Sequence, residues 1–181
     1  TASNMLHTNP KQTMQICQTL YQSGLITYMR TESTKYAPPF LDSMESYIEK
    51  EFGKNYIGKL DLIKNKDKNN PHEAIRVTDI HVTNISNKKD AAMYRLIWRN
   101  TIESCMSDAK YMVTPLKISA PSINDNNKSK KLYYNHMIEM PIFLGWKQLT
   151  TKNMDQETIN GLLLYLKTLQ ENTIIYSKIV S

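Results

Sequence analysis

The chain has 181 residues and a mass of 21.0 kDa, 40% hydrophobic and 22% charged, which is a globular composition and enough chain for one ordinary domain or two small ones. Twenty-three Lys and Arg against 17 acids give a net charge of +6 and a pI near 9.2, a mild bias towards a polyanionic partner. No run approaches the ~20 apolar residues that cross a bilayer, so no membrane partner is expected.

Asn9-Pro10 reads as an N-cap followed by proline at the first helical position. Met14, Cys17, Leu20 and Tyr21 recur at helical spacing, and Gly24 is placed to stop that helix. Leu25 to Met29 is a short extended segment, followed by a turn-like TEST sequence. Pro38-Pro39 open a second helix with the stripe Leu41, Met44, Ile48 and Phe52, closed by Gly53. A polar Lys/Asn loop, Lys64 to Asn70, follows. The third helix is predicted over about Lys88 to Asp108, with Tyr94, Ile97, Trp98, Ile102, Cys105 and Met106 on one side.

From Tyr111 the hydrophobic period changes to two. Met112 to Ala120, Leu132 to Phe143 and Thr173 to Val180 read as half-buried strands, and Met154 to Leu169 as a helix. The expected fold class is therefore α+β, with a helical domain at 1–110 and a mainly β segment at 111–181. Cys17 and Cys105 lie on apolar helix faces with no partner at metal-ligand spacing, as small buried hydrophobes in a reducing compartment do. The N-terminal TASNMLHTNP has no signal-peptide pattern and no initiator Met, which suggests an excised segment.

Two segments concentrate reactive side chains. Gly24 to Thr34 carries Tyr28, Arg30, Glu32 and the hydroxyls of Thr31, Ser33 and Thr34. If the segment is extended, Tyr28, Arg30 and Glu32 share one side. A tyrosine can attack a phosphodiester and form a covalent intermediate, and a fixed guanidinium can stabilise the charge of the phosphoryl transition state. Most tyrosines in any protein serve packing, so these residue types alone leave Tyr28 open between the two roles. Pro71 to Arg76 adds His72, Glu73 and Arg76. It lacks the second histidine of an HExxH zinc site, and no Gly-rich phosphate loop or acidic Mg²⁺ cluster is visible.

Taken together, GLITYMRTEST resembles the active-site segment of the type IA DNA topoisomerases, usually ending TYMRTDST, and PHEAIRVT resembles their HEAIRPT motif. TMQICQTLYQSG is similar to the helix before the nucleophile, MYRLIWRNTIESCMSDAKY to the downstream helix, and FLGWKQL to the FxGW strand of the arch. The likeness spans roughly residues 5 to 150, in order, and the bacterial-type form fits better than topoisomerase III. Glu32 stands where the family usually has Asp, and Val77 where it has Pro.

The resemblance implies a helix-turn-helix-rich, catabolite-activator-like domain followed by part of the topoisomerase arch. It implies an enzyme that cleaves and rejoins one DNA strand through a 5′-phosphotyrosyl intermediate, relaxing negative supercoils. Tyr28 would be the nucleophile, Arg30 would stabilise the scissile phosphate, and His72 would bond near it with Glu32 orienting it. Thr31, Ser33 and Thr34 would contact DNA, and Arg76 would be either a phosphate ligand or an ion-pair partner. The TOPRIM domain, with the acids that hold Mg²⁺, is not in the sequence. No cofactor is therefore expected here, and the segment alone is not expected to relax DNA. Single-stranded DNA and the TOPRIM domain of its own full-length chain are the implied partners, in a cytoplasmic monomer. A non-enzymatic helix-turn-helix DNA-binding module is the alternative. It accounts for charge and helices but not for both motifs together.

Overall fold

The computed structural model describes residues 1–67, 72–120 and 132–151, together with 161, 164, 165, 167 and 168. They form four α-helices and a two-stranded sheet: α1 (Ala2–Leu6), α2 (Pro10–Gln22), α3 (Pro38–Glu51), α4 (Lys88–Cys105), β1 (Lys110–Ala120) and β2 (Leu132–Phe143), with short 3₁₀ turns at Lys54–Tyr56, Leu60–Leu62 and Gly145–Leu149.

α2 begins with a reciprocal cap. The Asn9 side chain accepts from Gln12 N (2.9 Å), and Gln12 Oε1 accepts from Asn9 N (3.1 Å), so two of the three orphan donors of the first turn are satisfied, Pro10 having none. The helix ends in a Schellman reversal. Leu25 N donates to Leu20 O (3.0 Å) and Gly24 N to Tyr21 O (2.9 Å), with Gly24 at φ +71° where a side chain would be strained. Only Cys17 and Leu20 of its predicted face are buried; Met14 and Tyr21 are exposed.

α3 starts at Pro38-Pro39 after an extended Ala37, as the residue before proline must be. Phe40, Leu41, Met44 and Ile48 are buried along its inner face. α4 is three residues shorter than its periodicity suggests. Met106 leaves the helix to pair antiparallel with Ile57, and Ser107 N donates to Tyr56 O (2.8 Å). Each of α1, α2 and α3 packs on α4, whose Met93, Tyr94, Leu96, Ile97, Ile102 and Cys105 form the middle of the core.

The chain divides into two compact units. The first is Thr1–Lys110 with Phe143–Leu149; the second is Tyr111–Ile142 with Thr150–Ser181. The FLGWKQL segment is not a continuous strand. Phe143 ends β2, and Gly145–Leu149 is a 3₁₀ turn on the helical unit, where Trp146 N donates to Ser107 O (2.9 Å) and Gly145 has φ +50°. In the second unit, β1 and β2 pair as an antiparallel ribbon. The half-burial expected of these strands is not reached: Met112, Val113, Tyr133, Tyr134, Met137 and Ile142 are exposed, while Met140 is buried. A two-stranded ribbon has two faces, and the pairing of its strands buries neither. Of the helix expected at Met154–Leu169, residues 161, 164, 165, 167 and 168 are helical. The rest of that helix and the strand expected at Thr173–Val180 lie outside the described residues.

Candidate active site

The two motif-bearing segments meet by antiparallel pairing inside the first unit. Ile26 and Val77, both fully buried, form an isolated bridge. Thr27 N donates to Arg76 O (2.9 Å), and Thr78 N to Leu25 O (3.1 Å). Thr27 adds a side-chain clamp: its Oγ1 donates to Ala74 O (2.8 Å) and accepts from Arg76 N (2.9 Å). Thr78 Oγ1 donates to Gly24 O (2.7 Å). Beneath the bridge, Thr101 Oγ1 of α4 takes a long bond from Val77 N (3.4 Å), which ties the pair to the core.

This pairing fixes where the reactive groups go. Arg30, Thr31, Glu32, Ser33 and His72 line one open hollow of about 450 Å³. Arg30, Glu32 and His72 are exposed, and Arg30 and Glu32 make no ion pair among the described residues. Thr31 and Ser33 shape the loop as successive hydroxyl turns. Thr31 Oγ1 accepts from Ser33 N (3.0 Å) and Ser33 Oγ from Lys35 N (3.2 Å). Each hydroxyl keeps its own proton for donation outward. Thr34 is exposed and outside the lining of the hollow.

Tyr28 does not line that hollow. It is 42% exposed, and its ring lies edge-on to that of Tyr21, with centroids 5.2 Å apart and planes at 63°. Strict alternation would place Tyr28, Arg30 and Glu32 together and Thr31 opposite. Instead the backbone bends at Met29-Arg30, Met29 turns into the core, and consecutive residues from Arg30 to Ser33 share the hollow. The contrast with other phenols is clear. Burial pushes the Tyr36 and Tyr94 hydroxyls up, keeping them neutral, and each is spent on an internal bond, to Ser104 Oγ (2.9 Å) and to Val82 O (2.7 Å).

Arg76, open in sequence between phosphate ligand and ion-pair partner, is in an ion pair. Its Nη2 lies 2.7 Å from Glu73 Oε2, its Nη1 donates to Val77 O (3.1 Å), and its guanidinium carbon sits 4.0 Å above the centre of the Phe40 ring. Glu73 Oε1 accepts from Ala37 N (2.7 Å), the residue before α3. Glu73, Thr27 and Phe40 thus hold the site, and the sequence reading assigned them no role. The three-residue spacing of Glu73 and Arg76 was the one available signal; nothing in the sequence marks Thr27.

Among the described residues no group of three or more His, Cys, Asp or Glu could hold a metal ion. The hollow offers a single carboxylate, Glu32, beside the Arg30 guanidinium, a donor set that does not fit Mg²⁺.

A family model described as DNA topoisomerase matches residues 1–180. The chain belongs to the type IA DNA topoisomerase family. It is 36% identical over 140 residues to DNA topoisomerase 1 of Pseudomonas aeruginosa, covering 74% of this chain and 16% of that protein. It is 33% identical over 149 residues to the prokaryotic-type DNA topoisomerase 1 of Acanthamoeba polyphaga mimivirus, covering 79% and 17%. Full-length topoisomerase I from Thermotoga maritima matches in structure with a TM-score of 0.65 and 26% identity, covering 84% of this chain and 25% of that one. The chain spans about a sixth of the length of these two curated topoisomerases. No helix among the described residues is long and apolar enough to cross a membrane.

Proposed function

We propose that this chain is the module of a type IA topoisomerase that delivers the nucleophile for cutting and resealing one DNA strand. The Tyr28 hydroxyl attacks the phosphorus of a single-strand phosphodiester. A bond forms from phosphorus to the phenolic oxygen, whose proton passes to His72 or to solvent; the bond to the 3′ oxygen breaks, and the departing 3′ oxygen takes up a proton. The strand end is held as a 5′-phosphotyrosyl ester until the 3′ hydroxyl reverses the step. Arg30, which makes no ion pair among the described residues, supplies a positive charge for the developing phosphoryl charge. His72, which lines the same hollow, is the group that bonds to the phosphate or handles the proton, with Glu32 setting its tautomer. Thr31 and Ser33, whose hydroxyls only accept among the described residues, and Thr34 would donate to phosphate oxygens. Arg76 acts through the ion pair with Glu73.

The observation that most supports this reading is the pairing of residues 24–27 with 74–78, which brings His72 into one hollow with Arg30 and Glu32. The helical unit would be the DNA-facing, helix-turn-helix-like part. The acids for Mg²⁺ would come from a TOPRIM domain outside this sequence, so the chain alone would not relax DNA.

The test is made in a polypeptide of the relatives' length carrying this chain. Tyr28→Phe removes one hydroxyl and keeps the ring, so folding should hold while the covalent adduct at the DNA 5′ end disappears. Arg30→Ala should depress cleavage severely with DNA binding retained, and His72→Ala by about 10²–10⁴-fold. A Tyr28→Phe enzyme that still traps a 5′-linked adduct would show that another residue is the nucleophile.

A further inference from the structure

We propose that Tyr21 is the positioning residue for the Tyr28 nucleophile; this rests on the proposed role of Tyr28. The contact has a structural cause. α2 ends in the Schellman reversal at Gly24, so the chain turns back on the last turn of the helix, and residue 28 passes beside residue 21. The rings meet edge-to-face at 5.2 Å and 63°, the geometry that aromatic quadrupoles favour. On either side of Tyr28 the backbone is anchored by other means: Thr27 is bonded to Ala74 and Arg76, and Met29 is 5% exposed in the core. The ring itself is not buried. With 42% exposure it would be free to change its χ1 well, were it not for the neighbouring ring.

Tyr21 has no evident duty of another kind. It is 40% exposed, outside the core cluster, and its hydroxyl makes no hydrogen bond among the described residues. A helix-terminal aromatic left half in solvent contributes little to the fold. Its ring is placed where it narrows the directions in which the Tyr28 hydroxyl can point. Narrowing the ground-state orientations of a nucleophile raises the fraction of bound complexes ready to react, an effect on the chemical step rather than on binding. The ring does this, not the hydroxyl, so Phe at position 21 should serve as well as Tyr.

The experiment compares Tyr21→Ala, Tyr21→Leu and Tyr21→Phe in a polypeptide of the relatives' length, using a 3′-fluorescent single-stranded oligonucleotide, whose label stays on the 5′-linked adduct, under single-turnover conditions. Tyr28→Phe is run alongside. Tyr21→Ala and Tyr21→Leu should slow adduct formation by about 2- to 12-fold, the span of an aromatic pair interaction. The oligonucleotide Kd should be unchanged, and Tyr21→Phe should restore the rate. In the 181-residue chain, the Tyr28 ring proton signals should shift in Tyr21→Ala, where the neighbouring ring current is lost, and stay in place in Tyr21→Phe. Full cleavage rate in Tyr21→Ala and Tyr21→Leu, with Tyr28→Phe inactive, overturns the positioning role and leaves the nucleophile standing. A rate loss that Phe does not restore, or one matched by weaker DNA binding, also overturns it. An adduct persisting in Tyr28→Phe overturns both.

Discussion

The carboxylate of Glu73 ties its own segment and Arg76 to the start of α3, and removing it should have a measurable cost that can be built from the structure. One oxygen takes the Ala37 amide at 2.7 Å, at the entrance to α3, and the other takes Arg76 Nη2 at 2.7 Å. Each is a charge-assisted bond, worth about 1.5–3 kcal/mol when intact. Glu73→Ala leaves the Ala37 amide without its acceptor and the Arg76 guanidinium without its counter-charge, with Arg76 Nε already buried and lacking a hydrogen-bond partner. Breaking a fully buried pair costs about 3–5 kcal/mol. Here the two side chains keep 18% and 14% of their exposure, so water relieves part of the loss, and we expect about 2–3 kcal/mol. For a chain of this size that is a fall in Tm of roughly 5–10 °C.

The charge and the hydrogen bonds can be separated. Glu73→Gln keeps an oxygen for the Ala37 amide but loses the ionic attraction, and should cost about 1–2 kcal/mol. Arg76→Ala made on the Glu73→Ala background should cost less than Arg76→Ala alone, because the unpaired guanidinium has been removed with it. Denaturant unfolding followed by far-ultraviolet circular dichroism measures all four corners of the cycle. A cost below 0.5 kcal/mol for Glu73→Ala, or strict additivity with Arg76→Ala, would refute the idea that this pair holds the site together.

Two further predictions concern the core. Burial pushes the Cys105 thiol up from 9.0 to about 11. The unfolded chain therefore releases that proton first as pH rises, and stability should decline from about pH 9, by at most ~1.4 kcal/mol per pH unit, levelling off above about pH 11. Cys105→Ala should flatten that segment of a stability-against-pH curve; an unchanged slope would assign the alkaline loss to other groups, such as Tyr36 and Tyr94, whose hydroxyls burial also raises. Two of the three positive-φ glycines, Gly24 and Gly145, should differ sharply. Gly24→Ala meets open space and should cost only the conformational ~1–2 kcal/mol, whereas at Gly145 a Cβ would lie 2.4 Å from Ser107 O and 2.6 Å from Asp108 backbone atoms. Parallel thermal melts check this, and equal losses would mean that Gly145–Leu149 does not need its close approach to the helical unit.

Periodicity made the helices legible because each carries its own start, stripe and stop. Asn9-Pro10 and Gly24 bracket α2, and Pro38-Pro39 and Gly53 bracket α3, through local chemistry that needs no distant partner. The errors occur where a distant partner decides. α4 stops at Cys105 rather than Asp108 because Met106 and Ser107 are claimed by Ile57 and Tyr56, half the unit away in sequence. Gly145–Leu149 turns instead of extending because its glycine must fit against Ser107 and Asp108. Tyr21 looked like core by spacing, yet it lies at the end of α2, where the helix surface is no longer covered.

The site divides along the same line. The candidate residues lie in two short strings that the sequence displays, but their arrangement was not legible there, because one bridge between Ile26 and Val77 sets it across some fifty residues. Alternation assumed an extended strand, and a strand is what a single bridge cannot sustain: the ladder around it joins residues 24–27 to 74–78 and stops before Tyr28. The chain bends at Met29-Arg30, and the hydroxyl turns of Thr31 and Ser33 complete the curl. That bend parts the phenol from the guanidinium and carboxylate that alternation had grouped with it. It also means that the ring of Tyr28 is governed from α2, while Arg30, Glu32 and His72 are governed from the Glu73–Arg76 pair and the loop before α3. A substitution that loosens one of these supports should therefore leave the other intact. Tyr21→Ala should leave unfolding stability close to that of the unaltered chain, and Glu73→Ala should leave the Tyr28 ring proton signals where they are.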